Sequence, residues 1–89
     1  MIVLYQKKFL KDLSRIPFPL RKKIEHFVFY ELPALENFRQ LRGAEKMSGY
    51  NHYYKIRFGD YRLGFHFDEN ILTLERILNR KEIYRYFPQ

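Results

Sequence analysis

The run Tyr53 to Phe67 reads Tyr-Tyr-Lys-Ile-Arg-Phe-Gly-Asp-Tyr-Arg-Leu-Gly-Phe-His-Phe, and it leaves few choices of local structure. Two alternating stretches flank Gly59-Asp60. Glycine first in a two-residue loop suits a type II′ turn, whose twist matches a β-hairpin. That turn pairs Phe58 with Tyr61 and fixes every later neighbour. Ile56 then faces Leu63 and Tyr54 faces Phe65, so one face of the ribbon is a core face. On the other face Arg57 lies opposite Arg62, Lys55 opposite Gly64, and Tyr53 opposite His66. Like charges directly across a ladder destabilise it. Two arginines can splay apart in solvent, or an anion can sit over them, because guanidinium groups bind phosphate bidentately. The sequence leaves open space beside Lys55 at Gly64 as an expectation, a place for a ligand to approach the backbone.

The rest of the chain supplies what a hairpin alone lacks. Ile2 to Tyr5 reads as a first strand. Gln6 to Ile16 carries Phe9, Leu10, Leu13 and Ile16 at helical spacing, with Lys7, Lys8, Lys11, Asp12 and Arg15 elsewhere on the wheel. Pro17 and Pro19 interrupt it, and Leu20 to Leu32 resumes the period until Pro33. Glu36 to Leu41 reads as a short helical turn, and Gly43 and Gly49 mark loops. After Asp68-Glu69-Asn70, Ile71 to Leu78 reads as a third strand of the hairpin sheet, with two registers open because a one-residue slip exchanges its faces. Asn79 to Gln89 is either a short helix or irregular. The order β-α-α-β-β-β makes an α+β domain: a twisted antiparallel sheet with an N-terminal αα-hairpin on one face. Lys55, Arg57 and Arg62 point from the other.

Eighty-nine residues make one domain, 1–89, with no linker or repeat. Because so small a domain buries a limited share of its surface, its 17 Tyr and Phe residues are needed for a stable core. There is no cysteine, which excludes disulfides and thiolate metal sites, and His26, His52 and His66 lack zinc spacing. No metal and no cofactor are expected. No apolar run reaches the length of a membrane span, and the N-terminus lacks a signal-peptide pattern, so the expectation is a soluble cytoplasmic protein. The net charge of +7 favours a polyanion or an acidic protein as partner. Lys7-Lys8-Lys11 and Arg21-Lys22-Lys23 read first as solvated helix faces and second as contacts to RNA phosphate or an acidic partner.

Three segments resemble the RelE/ParE superfamily of toxins from type II toxin–antitoxin systems. They are Leu41-Arg42-Gly43, the hairpin Tyr54 to Leu63, and Arg80-Lys81-Glu82-Ile83-Tyr84. Length and element order agree, so the resemblance spans nearly the whole chain and implies a small RelE-like fold. For a RelE-type member it implies an mRNA interferase that cuts mRNA in the ribosomal A site and is blocked by a cognate antitoxin, with which it forms an oligomer. Carried over by position, the catalytic residues are Lys55, Arg57, Arg62, Arg80 and Tyr84. Lys55, Arg57, Arg62, Lys81 and Arg85 contact RNA. Arg76 and Arg85 are substitutes for Arg80. ParE-branch members share the fold but poison DNA gyrase, and a basic RNA-binding module without catalysis is a third possibility.

RNA can be cut without metal when its 2′-hydroxyl attacks the adjacent phosphate. The products are a 2′,3′-cyclic phosphate and a 5′-hydroxyl. The reaction needs a base, stabilisation of charge on phosphorus, and an acid for the leaving oxygen. The hairpin register places His52 and His66 on opposite faces, which excludes them as a pair. A lysine is a base only when its pKa falls well below about 10.4, and clustered positive charge has that effect. These roles therefore follow: Lys55 as base, Arg57 and Arg62 on the phosphate, Arg80 at the leaving oxygen, and Tyr84 orienting the 2′-hydroxyl or stacking on a base.

Overall fold

The computed structural model describes residues 1–88. Strand β1 spans Ile2–Tyr5 and helix α1 spans Lys7–Ser14. Helix α2, Leu20–His26, runs through a π turn at Phe27–Glu31 into α3, Leu32–Ala34. A 3₁₀ turn at Phe38–Gln40 leads to the two-residue strand β2, Glu45–Lys46. Strands β3 (Tyr53–Phe58), β4 (Tyr61–Asp68) and β5 (Ile71–Asn79) follow, then α4 (Ile83–Tyr86).

The α+β class and the helical layer on one face are as the sequence indicates. The sheet is larger and mixed: its order is β1-β5-β4-β3-β2, and β1 pairs with β5 in parallel while the other pairs are antiparallel. The helices lie on one face because their apolar residues share one stripe. Phe9, Leu13, Ile16, Ile24, Val28 and Leu32 meet Ile56, Leu63, Phe65, Leu72, Leu74 and Ile77 in one buried cluster. Phe38 stacks on Phe67 at 4.1 Å and closes the end of that core.

The π turn explains how Ile24, Val28 and Leu32 are all fully buried at a strict spacing of four. Four residues overshoot an α-turn of 3.6. They undershoot a π turn, which closes i→i+5, and the two drifts cancel. The Tyr5 hydroxyl donates to the Val28 carbonyl at 2.7 Å within this wider turn, and burial pushes the Tyr5 pKa up. Pro33 therefore does not close the helix where the sequence suggests; the helical run continues through it to Ala34, and the Tyr5 hydroxyl supplies the Val28 carbonyl with a donor that Pro33, having no N–H, cannot give it.

The hairpin has the expected register at all six pairs, from Phe58 with Tyr61 to Tyr53 with His66. Gly59 turns with φ +57°, the conformation that selects glycine. Strand β5 settles its register in a way that neither alternative anticipated. The ladder pairs Phe65 with Leu74 but Gly64 with Arg76, so Glu75 is left over as a β-bulge. Leu72 and Leu74 face the helices before the bulge, and Ile77 faces them after it.

Two residues of α1 depart from the helical wheel. Leu10 is exposed, whereas Asp12 is buried at 5% exposure. Strand β1 covers only Ile71 to Leu74 of β5, which leaves the lower part of that edge bare. Asp12 covers it. One carboxylate oxygen accepts the Ile77 backbone N–H at 3.1 Å, and the pair of oxygens accepts Arg76 Nε and Nη2 at 2.8 and 3.0 Å. This hydrogen bonding pushes the Arg76 guanidinium pKa up, against the lowering effect of burial.

Candidate functional site

The sheet face away from α1 and α2 carries the tail. Helix α4 docks there through Ile83 and Phe87, which form a second small core with Met47, packed by Tyr53 and Leu78. The position of Phe87 corrects the expectation of open space at Gly64. A Cβ on Gly64 would lie 2.6 Å from the Phe87 ring, so the missing side chain is filled by aromatic carbon. Glycine is required at this spot for close packing of the tail.

With Phe87 seated, Tyr84 reaches β3. Lys55 Nζ donates to Tyr84 Oη at 2.6 Å and lies 4.9 Å from the ring centre. A depression of about 320 Å³ opens beside them, lined also by Met47, Ser48, Tyr50, Phe87 and Pro88. Strand pairing puts Arg57 and Arg62 opposite one another on the same face as Lys55. The like charges are relieved partly by Arg62, whose Nη1 donates to the carbonyls of Gly59 and Tyr61 at 2.8 and 3.0 Å. Arg57 is exposed. The hairpin face thus gathers a lysine–tyrosine pair and two guanidinium groups.

The other candidates lie apart from that pair. Arg80 is at the hairpin turn: its backbone N–H donates to the Asp60 carbonyl at 2.7 Å, and its Nε is 4.0 Å from the Asp60 carboxylate. Lys81 lines a different depression with Asp12, Arg15 and Tyr61. Arg85 is exposed on α4. Arg76 cannot substitute for Arg80, because Asp12 holds it at the sheet edge.

The histidines also need correction. His52 precedes β3 with φ +67°, and its ring lies 6.0 Å from His66 on the same side of the molecule, with Asp68 3.8 Å away. The alternation that put them on opposite faces does not extend to His52, because the strand starts at Tyr53. Tyr50, Met47 and Ser48 were not legible as site residues, since a loop has no periodicity to aim them. Among the described residues, no group of three or more His, Asp or Glu side chains could hold a metal ion.

Residues 3–84 match the family described as ParE toxin of type II toxin-antitoxin system, parDE. The chain is 38% identical over 89 residues to Toxin RelE3 of Methanocaldococcus jannaschii, covering 99% of this chain and all of that protein. It superposes on the crystal structure of the RelB-RelE antitoxin-toxin complex from Methanococcus jannaschii with a TM-score of 0.76 and 36% identity, over 96% of this chain and 99% of that one. A mutant of the E. coli toxin RelE in the free state gives a TM-score of 0.67 at 17% identity, over 96% and 88% of the two chains, and shares the fold.

Proposed function

The chain belongs to the ParE toxin family of type II toxin–antitoxin systems and is a toxin of RelE type, and from that premise we propose that it is a ribosome-dependent mRNA endonuclease restrained by an antitoxin. The observation that carries the reading is the 2.6 Å contact between Lys55 and Tyr84 on a face that also presents Arg57 and Arg62.

In the proposed reaction Lys55 Nζ takes the proton of a 2′-hydroxyl. Tyr84 orients that hydroxyl or the adjoining base. The 2′-oxygen bonds to phosphorus as the bond to the 5′-oxygen breaks, and the leaving oxygen takes up a proton from water. Arg57 and Arg62 hold the phosphate and offset the charge that develops on it. For this Arg62 swings off the two turn carbonyls, a rotamer change of a half-buried side chain. Arg80 adds positive charge near the turn; a guanidinium is a poor proton donor, so its part is electrostatic. The ribosomal A site presents the mRNA, which places the activity in the cytoplasm. An acidic antitoxin segment covers the basic face or displaces α4.

The test is translation in vitro with the purified protein, mapping mRNA ends with and without ribosomes. Ribosome-dependent cuts with 2′,3′-cyclic phosphate ends are expected. Tyr84→Ala and Arg62→Ala should each lower the rate by about a hundredfold or more. A 5′-phosphate product, or cleavage abolished by chelators, would overturn the mechanism. The match to a ParE toxin family favours one second reading, inhibition of DNA gyrase. Intact mRNA together with loss of gyrase supercoiling would establish that instead.

A further inference from the structure

Phe87 is a ridge with a depression on either side. One holds Lys55 and Tyr84. The other, of about 670 Å³, lies between α4 and the start of α1 and is lined by Tyr53, Glu75, Arg76, Tyr86 and Phe87, with Lys7 and Lys8 at its rim. We propose that this second depression is a nucleobase subsite for RNA entering the Lys55–Tyr84 centre, and that Glu75 reads the N–H edge of the base. The inference rests on the proposed function in taking RNA as the substrate.

Four observations carry it. The volume suits a small planar group with part of its sugar. Four aromatic residues line it, Tyr5, Tyr53, Tyr86 and Phe87, and unpaired bases bind proteins by stacking on such rings while their Watson–Crick edges are read by polar groups. Glu75 is the bulged residue of β5, and bulges beside active sites serve to re-aim a side chain. Alternation from the buried Leu72 and Leu74 puts position 75 on the tail side, and the bulge sets it beside Arg76, which heads the row Arg76, Gly64, Lys55 across the sheet. Two inter-strand steps make that row about 10 Å long at the backbone, within the reach of one nucleotide from phosphate to base edge. Finally, no side chain among the described residues hydrogen-bonds the Glu75 carboxylate, although it is only partly exposed.

The chemistry selects the ligand. A carboxylate only accepts hydrogen bonds, so it favours bases with N–H donors at the edge. Guanine offers two adjoining donors, an imino and an amino group, and matches both oxygens at once. Uracil offers one donor flanked by two carbonyls that repel the carboxylate. Lys7, Lys8 and Arg76 at the rim keep the neighbourhood attractive to the RNA backbone despite the acid. Burial pushes the Glu75 pKa up, with His66 opposing, which is the sign of a carboxylate short of donors.

The probe is a set of fluorescein-labelled 2′-O-methyl hexanucleotides, all uridine or with one guanosine, adenosine or cytidine, titrated with the intact protein and followed by anisotropy. These cannot be cut by 2′-hydroxyl attack and need no ribosome. The guanosine oligomer should bind about tenfold more tightly than the all-uridine one. Glu75→Gln, checked for its fold by circular dichroism, should erase that preference. Tyr86→Leu should weaken all four oligomers about tenfold and keep the preference. Equal binding of the four, no binding of any, or a preference that survives in Glu75→Gln overturns the subsite. Ribosome-dependent cleavage found alongside such a result would leave the proposed function standing.

Discussion

Phe87→Ala should release α4 and leave the rest of the domain folded. The helix has four residues, far fewer than an isolated helix needs for stability. Ordering their backbone costs about 1–2 kcal/mol each, or about 4–8 kcal/mol in all. Against this stand Ile83, fully buried and contributing about 1.5–3 kcal/mol, and Phe87, at 2% exposure, whose truncation costs about 3–5 kcal/mol. The two sides nearly balance with Phe87 present and fail without it. The main core shares no buried residue with this second cluster, so it should survive. Amide hydrogen exchange separates the two regions. In the native chain the amides of Arg85 and Phe87 donate to Glu82 and Ile83 carbonyls. In the variant they should lose protection, while Leu63 and Leu72 in the sheet stay within a few fold. The nuclear Overhauser contact between Lys55 and the Tyr84 ring should vanish as well. Gly64→Ala should reproduce the release, because its methyl would lie 2.6 Å from the ring, and Phe87→Leu in the same chain, which keeps most of the apolar anchor, should partly relieve it. Retained protection at Arg85 and Phe87, or equal loss across the sheet, would refute the reasoning.

Asp12→Ala leaves the Arg76 charge and the Ile77 N–H without their carboxylate, so urea unfolding should show a loss of about 3 kcal/mol; a loss under about 1 kcal/mol would mean that water satisfies this edge equally well. Glu75 has a folded-state pKa above its ordinary value of 4.5, so the folded chain keeps a proton that the unfolded chain has released. Stability should therefore fall as pH rises from about 4.5 through the raised value, then level off. Denaturation midpoints measured between about pH 4 and pH 7 should lose that fall in Glu75→Gln, and parallel curves for the two proteins would count against the burial of this carboxyl.

The hairpin was legible to the residue because a two-residue glycine turn fixes the pairing and a period of two does the rest. The helical layer was legible from its apolar spacing. What failed depends on contacts that sequence order hides. The face assignment of β5 breaks at Glu75, where a bulge interrupts parity. Asp12 looked like a solvated helix residue because its partner Arg76 comes 64 positions later. Gly64 looked open because the ring that fills it arrives with the tail. The parallel pairing of β1 has no local signature at all, and β2 is too short to show one. Of the site, Lys55 and Tyr84 were named by resemblance and meet in the structure; Arg80 and Lys81 were named with them and stand elsewhere.

The pairing of β1 with β5 ties the earliest strand to the last, Ile2 to Ile71. At 5–20 residues per second, synthesis keeps β1 waiting about 3–14 s for its partner. Such a non-local contact also slows folding once the chain is complete. The early helices have little sheet to pack on until β3, β4 and β5 exist, and Lys55 has no Tyr84 to meet until the tail docks. A nascent chain cut short before residue 84 therefore lacks the pair at the proposed centre, and one cut short before β5 lacks a closed core as well. On the proposed reading the Lys55–Tyr84 centre exists only once the tail has been made and docked, which leaves an interval in which an antitoxin can arrive first.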